Sequence, residues 1–315
     1  MARVRVSLSP LLFVRSNVSP PQTLPSITSR KLTVSASFMS RNSAIETEAA
    51  SLRTGGWKPM CLYFTQGKCT KMNDASHLEQ FSHNYVMDSQ LNAFKLNNLK
   101  PQDLEYLLVL DLEGKVEIIE FPVVMIGTRT MEFIDSFHRF VRPTAMSEEK
   151  ARQYIEGKYG KLGVDRVWHD TAVPFKNVLV EFETWLTKHQ LWEKETGGSL
   201  HQAAFVTCGN WDLKTKVFQQ CKTSRIKIPS YFMEWINIKD IYLNFYKRRA
   251  TGMMTMMREL GIPMRGSHHL GIDDTRNITR VLQRLLADGA SLQVTARRSI
   301  SDPNNVNFLF KNRIV

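Results

Sequence analysis

The chain reads as an α/β protein: a mixed sheet of about five strands, the first three antiparallel, flanked by helices and preceded by a small Cys/His segment. Three observations predict this. Short apolar, β-branched runs cluster between residues 105 and 141; helical periodicities take over from Ser147, with further short apolar runs between them; and two cysteines and two histidines crowd residues 61–83. Strands followed by helices that alternate with strands require a sheet with helices packed on it.

The first strand is Leu107–Leu110, ending at Asp111-Leu112-Glu113, and the second spans Ile118–Ile126. Phe137–Val141 alternates and stops at Pro143, completing an antiparallel meander. Ser147-Glu148-Glu149 opens a helix, and Phe175, Val178, Leu179, Phe182, Trp185 and Leu186 recur at helical spacing. Ala203–Thr207 is a buried strand. Trp211–Cys221, Met253–Leu260 and Thr275–Leu286 read as helices and Leu292–Thr295 as a last strand. No internal repeat or coiled coil is present.

The 42 Lys and Arg against 30 Asp and Glu give a formal charge of +12, which favours an anionic partner such as nucleic acid. Half of that excess lies in residues 1–45, which carry Arg3, Arg5, Arg15, Arg30, Lys31 and Arg41 and no acid; 12 minus 6 leaves +6 for the rest. Ten serines and Pro10, Pro20, Pro21 and Pro25 share this stretch, the composition of an organellar transit peptide. The serines and prolines, without a clear Arg-rich amphipathic helix, point to the plastid stroma, with the mitochondrion as the alternative. Leu11–Val14 is too short for a signal-peptide core, and no run of about 18 apolar residues is available to span a membrane. Four cysteines, at 61, 69, 208 and 221, are too few and too uneven for a secreted disulfide scaffold. The expected organisation is a transit peptide at 1–45, a linker at 46–56, the Cys/His segment at 57–84, a helical connector at 85–104, the main domain at 105–296 and a basic tail at 297–315.

Asp111 and Glu113 flank one residue at a strand end, so their side chains share a side of the sheet. Paired carboxylates repel unless a cation lies between them, and Mg²⁺ prefers hard oxygen ligands. Asp212 follows the Ala203–Thr207 strand at the start of a helix, and Asp274 lies five residues after His269, also before a long helix. Each alone could be a strand-end acid or a helix cap, and Asp273 could cap as well as Asp274. Their conjunction, with an imidazole suited to accept a proton, points to metal-assisted hydrolysis.

This order of acids resembles the DEDDh 3′→5′ exonucleases of the ribonuclease H-like fold. Glu117–Val124, Val141-Arg142-Pro143, Ser224–Lys227, Trp235–Ile238, Asn244–Lys247 and Gly271–Asp274 narrow the resemblance to the enhanced-RNAi, histone-mRNA exonuclease branch, over about residues 105–290. The resemblance implies that Asp111, Glu113, Asp212 and Asp274 hold two Mg²⁺ (or Mn²⁺) ions. It also implies that His269, five positions before the last acid, is the general base for a water that attacks the terminal phosphodiester, releasing 5′-nucleoside monophosphates. His268 receives no role. Trp211 matches a position that contacts the terminal base, and Arg225 and Lys227 are candidate phosphate contacts. The segment between Pro143 and Phe175 departs from the relatives, so no pocket residues carry over there. Expected partners are RNA 3′ ends, of ribosomal or small RNA, with ribosome or pre-ribosome association and no membrane. An RNA-binding protein with an inactive nuclease fold and a DNA 3′ exonuclease are the alternatives.

Cys61, Cys69, His77 and His83 make a plausible tetrahedral Zn²⁺ set. Cys61-Leu62-Tyr63-Phe64 with Gly67-Lys68-Cys69 resembles the first half of an RNA-binding CCCH finger, but Ala75 stands where its third cysteine would fall. Two readings stay open: a zinc module, in which Tyr63 and Phe64 could stack on RNA, and a metal-free capping element.

Overall fold

Leu107, Leu108, Val109 and Leu110 are all fully buried, which makes the first strand, β1 (Tyr106–Leu110), the centre of a sheet covered on both faces. The computed structural model describes residues 57–85 and 99–310; the expected transit peptide and linker, most of the helical connector and the end of the tail lie outside the described residues. β1 pairs antiparallel with β2 (Glu120–Gly127), which pairs antiparallel with β3 (Phe133–Arg142), as the meander requires. β4 (Val173–Pro174) lies parallel to the end of β3. On the other side of β1 come β5 (Ala203–Thr207) and β6 (Glu234–Asn237), both parallel, then β7 (Ala296–Arg298) and β8 (Val306–Phe308), both antiparallel. The order is β4-β3-β2-β1-β5-β6-β7-β8.

The helices among the described residues are α1 (Leu62–Thr65), α2 (Ala75–Gln80), α3 (Glu148–Tyr159), α4 (Asp165–Thr171), α5 (Phe175–Lys188), α6 (Val217–Thr223), α7 (Ile238–Tyr246), α8 (Met253–Glu259) and α9 (Gly271–Ala287). The period of two along β1 and β2 divides the core. Leu107, Val109, Val124 and Ile126 face Ile278, Val281, Leu282 and Leu285 of α9. Leu108, Leu110, Val123 and Met125 face Phe175, Val178, Phe182 and Leu186 of α5, the helical stripe read from the sequence. Each such buried side chain contributes about 1.5–3 kcal/mol relative to an exposed one.

The sheet has eight strands rather than about five. Four of the strands span only two to four residues (β4, β6, β7, β8), too short to leave a periodic signal. The strand expected at Leu292–Thr295 falls one step later, at Ala296–Arg298, while Thr295 donates its amide to the Trp235 carbonyl at 3.0 Å. The helix expected over Trp211–Cys221 begins as a π-helical turn, Trp211–Lys216, before α6. The tail expected from residue 297 continues the sheet instead of standing apart. Its Arg298 is 1% exposed and donates to the carbonyls of Leu213 at 2.7 Å and Lys214 at 2.6 Å, and to that of Pro303. Charge counting alone missed this, because a guanidinium can be buried where it satisfies several carbonyls.

Replacing Arg298 by Met removes those donors from the carbonyls of Leu213, Lys214 and Pro303. Urea unfolding of Arg298→Met should show a loss of about 2–3 kcal/mol; a change under about 0.5 kcal/mol would mean that the tail is peripheral.

Candidate active site and Cys/His centre

The carboxylates expected from the sequence meet in one pocket lined by Asp111, Leu112, Glu113, Asp212, His269 and Asp274, with Trp211, His268, Cys208, Met253 and Ile278 around them. Asp111 leaves the end of β1, and Glu113 forms a bridge with Glu120 at the start of β2. Gly114, at φ +126°, makes the tight turn between them, where a Cβ would lie 2.0 Å from the Glu117 carbonyl oxygen. One oxygen each of Asp111, Glu113 and Asp274 lie within 4.8 Å of one another. Asp212 enters from the π-turn and accepts the Leu112 amide at 2.9 Å, which ties it to the loop carrying the first two acids.

Asp274 stands in the first turn of α9, against the pair at the end of β1. Gly271 permits this approach, since a Cβ there would sit 3.0 Å from the Glu120 carboxyl carbon and 3.1 Å from the Asp111 carbonyl oxygen. Asp273 points away and accepts the Ser267 amide at 2.8 Å. Its geometry is that of a loop anchor.

Glu120, fully buried, receives four hydrogen bonds: from the amides of Gly271 at 2.9 Å and Ile272 at 2.8 Å, from Tyr159 at 2.7 Å and from His138 at 3.1 Å. Burial would raise its pKa, but the bonds from His138, Tyr159 and the Gly271 amide outweigh that and hold the carboxyl below its ordinary value. The ionised group sits at the N-terminus of α9, where the helix dipole favours it.

The other acids are shifted the opposite way. Burial, then the charges of Asp212, Asp274 and Glu113, raise Asp111 well above the usual carboxylate range. Burial pushes Asp212 up to about 6 and Glu113 up to about 7, although Lys158 beside Glu113 pulls it back. Burial also raises Asp274, opposed by His268 and the His269 amide. Hard oxygen donors that are costly to ionise together fit Mg²⁺ or Mn²⁺, and Asp111, Glu113, Asp212 and Asp274 are the residues that would hold it.

His268 and His269 stack at the rim with centroids 3.9 Å apart. His269 adopts φ +70° and donates its amide to Asp274 at 2.8 Å. Its ring pKa is lowered by burial, by His268 and by Lys158, against the opposing charge of Asp274, which favours a neutral imidazole at the pocket near pH 7. His268, unassigned from the sequence, is the ring that contacts Asp274, with Nδ1 at 3.0 Å from the carboxylate. Lys158 is a second residue without an earlier role: its Nζ donates to Glu113 at 2.8 Å from α3, within the segment where the relatives gave no guide. Only its i−1 relation to a buried tyrosine in an otherwise polar helix hinted at an inward position. Trp211 is 46% exposed beside the acids, with Lys216 Nζ at 5.4 Å from its ring centroid, so it is available for stacking. Arg225 and Lys227 are exposed beyond α6 and do not line the pocket.

The Cys61, Cys69, His77 and His83 donors also converge, all within 4.8 Å of one another. Cys69 Sγ is 3.6 Å from both imidazole Nε2 atoms, which are 3.1 Å apart. A Zn²⁺ tetrahedron with ordinary bond lengths has edges of about 3.3 Å between nitrogens and about 3.5 Å between nitrogen and sulfur, so the set fits zinc. The aromatic residues considered for RNA stacking are engaged within the fold. Tyr63 donates to Asp170 at 2.5 Å, and Phe64 stacks on His83 with centroids 4.6 Å apart.

An α/β sheet that gathers four acids beside a neutral imidazole defines a metal-assisted hydrolase fold. The chain belongs to the exonuclease family whose profile, RNase_T, matches residues 102–282. It is 62% identical over 258 residues to an uncharacterized exonuclease domain-containing protein of Arabidopsis thaliana, covering 82% of this chain and 77% of that one. It is 33% identical over 226 residues to 3′-5′ exoribonuclease 1 of Rattus norvegicus, covering 68% of this chain and 62% of that relative's length. Among solved structures it resembles the nuclease domain of 3′hExo, a DEDDh family member, bound to rAMP: TM-score 0.52, 32% identity, 61% of this chain and 96% of that one.

The raised carboxyls give a pH dependence of defined sign. A folded pKa above the unfolded value means that the native state holds more protons, so stability falls as pH rises through that interval. Without metal, Asp212 and Glu113 should lower stability by up to about 6 kcal/mol from about pH 4 to about pH 7, offset in part at the acid end by Glu120, whose lowered pKa acts the other way. Mn²⁺ should remove the decline and release protons on binding near pH 6, seen by calorimetry in buffers of different ionisation heat. A metal-free protein whose stability rises over this range would contradict the geometry.

Proposed function

We propose that this chain is a metal-dependent 3′→5′ exoribonuclease that trims RNA 3′ ends in an organelle. The observation that carries the reading is the meeting of Asp111, Glu113, Asp212 and Asp274 with a neutral His269 in one open pocket. All four acids and the imidazole are present, which disfavours an inactive nuclease fold, and the exoribonuclease name of the rat relative favours RNA over DNA.

Bound divalent ions would supply electrostatic stabilisation of the charge that develops on the phosphate and its leaving oxygen. The chain's own residues do the rest. Asp274 fixes the His268–His269 loop through the His269 amide. His269, neutral near pH 7, takes the proton of the attacking water. Trp211 offers a face to the terminal base. Lys158 offsets the negative charge of the cluster at Glu113. The product is a 5′-nucleoside monophosphate. Organellar ribosomal RNA ends, with small RNAs second, fit the transit-peptide composition of residues 1–45 and its plastid bias. We assign Zn²⁺ to Cys61, Cys69, His77 and His83, as a structural centre.

Purified protein given 3′-overhang RNA and Mg²⁺ should release mononucleotides from the 3′ end; intact RNA would overturn the proposal. Asp111→Asn should lose at least about a hundredfold in kcat with RNA binding retained, whereas His269→Ala should lose about 10²–10⁴-fold with Mn²⁺ affinity nearly unchanged. Equal activity of either variant and wild type would refute its assigned role.

A further inference from the structure

The Cys/His segment does not stand off as a separate finger. Leu62 is buried in the same core as α9, the Gln66 side chain accepts the Phe140 amide at 3.2 Å, and Lys68 donates to the Thr171 carbonyl at 3.0 Å. Thr65, 6% exposed at the end of α1, places Oγ1 2.7 Å from His138 Nδ1. His138, on β3 and fully buried, turns its other nitrogen to Glu120. Glu120 in turn holds the Gly271 and Ile272 amides and the Tyr159 hydroxyl. Those three residues belong to the two helices that deliver Asp274 and Lys158 to the pocket.

We infer that the Cys/His segment is a positioning element of the active site, setting Asp274 through the buried chain Thr65–His138–Glu120–α9. Every link is within hydrogen-bond distance and shielded from water, so no solvent molecule can substitute for a lost partner. Because an ionised carboxylate only accepts, Nε2 of His138 donates to Glu120 and Nδ1 faces Thr65 Oγ1, whose single proton has two acceptors in reach, Nδ1 at 2.7 Å and the Leu62 carbonyl at 2.9 Å. Among the described residues, the Thr65 hydroxyl is the polar group of the segment that touches His138, and through it Glu120. Zinc at Cys61, Cys69, His77 and His83 fixes α1, which is only four residues long and could not hold Thr65 in place by helix formation alone. This last step rests on the zinc assignment above. Outer partners of metal ligands tune affinity by orienting them, and Glu120 orients a whole ligand-bearing helix end.

The test uses the full chain and Mn²⁺ as the probe, with free Mn²⁺ counted by electron paramagnetic resonance and zinc by metal analysis. Thr65→Val should keep about one equivalent of zinc and weaken Mn²⁺ binding roughly tenfold, and Thr65→Ser should restore it. His77→Ala should lose zinc and weaken Mn²⁺ to the same degree, and the Thr65→Val/His77→Ala double variant should be no weaker than either alone. Amide exchange at Gly271 and Ile272 should quicken in His77→Ala, which reads the relay even if Thr65→Val folds poorly. Unchanged Mn²⁺ affinity in a folded Thr65→Val protein, or additive losses in the double variant, would overturn the inference. Wild-type protein without zinc would sink the zinc assignment by itself, while the Thr65 comparison still decides the relay.

Discussion

Four carboxyl groups cannot share a buried pocket without help, and the architecture around this site is organised by that repulsion. Burial first, then the charges of Asp212, Asp274 and Glu113, raises Asp111, and burial raises Asp212 and Glu113. The fold holds them with backbone geometry rather than with counter-charges. A tight glycine turn brings Glu113 back toward Glu120, the Leu112 amide tethers Asp212, and Gly271 lets α9 come into contact with the end of β1. Lys158 is the cation placed on the cluster by the described residues' ion pairs, and it meets only Glu113. The remaining demand for positive charge is the physical basis for a divalent-metal centre.

Glu120 is the counterpart of that cluster. It too is buried, yet it stays ionised because four donors satisfy it. Glu120, saturated by four donors, serves as a structural joint, whereas Glu113, Asp212 and Asp274, each held by one or two donors, line the pocket. The distinction separates residues of the same type only a few positions apart in the chain. Asp273 is turned to the Ser267 amide, whereas Asp274, held by the His269 amide and by His268, lines the pocket.

Much of this was legible in the sequence, for identifiable reasons. The meander from Leu107 to Val141 and the stripe on α5 carry strong periodic patterns, so the central sheet and one of its faces could be drawn before any coordinates. The acids could be grouped because each ends a strand or begins a helix, where side chains converge. Glu120 could not be singled out, since in the sequence it is one more acid inside an apolar run. Nor could the contact of His268 with Asp274, or Lys158 with Glu113, because both depend on loop and helix placement in three dimensions. Arg298 was misread as tail charge for a related reason: whether an arginine is solvated or buried is decided by the carbonyls it meets. The Cys/His segment left two readings open, a zinc module and a metal-free cap; its donors converge in an element packed on the nuclease core, an arrangement that either reading allows.

If Asp111, Glu113, Asp212 and Asp274 hold metal, that metal lies directly against the scissile phosphate. Sulfur in place of a non-bridging oxygen at the 3′-terminal linkage of an RNA substrate tests it, because Mg²⁺ binds sulfur poorly and Mn²⁺ accepts it better. One phosphorothioate diastereomer should be cut slowly with Mg²⁺ and recover with Mn²⁺, relative to the all-oxygen RNA. Equal slowing with both metals, or no slowing with either, would contradict it.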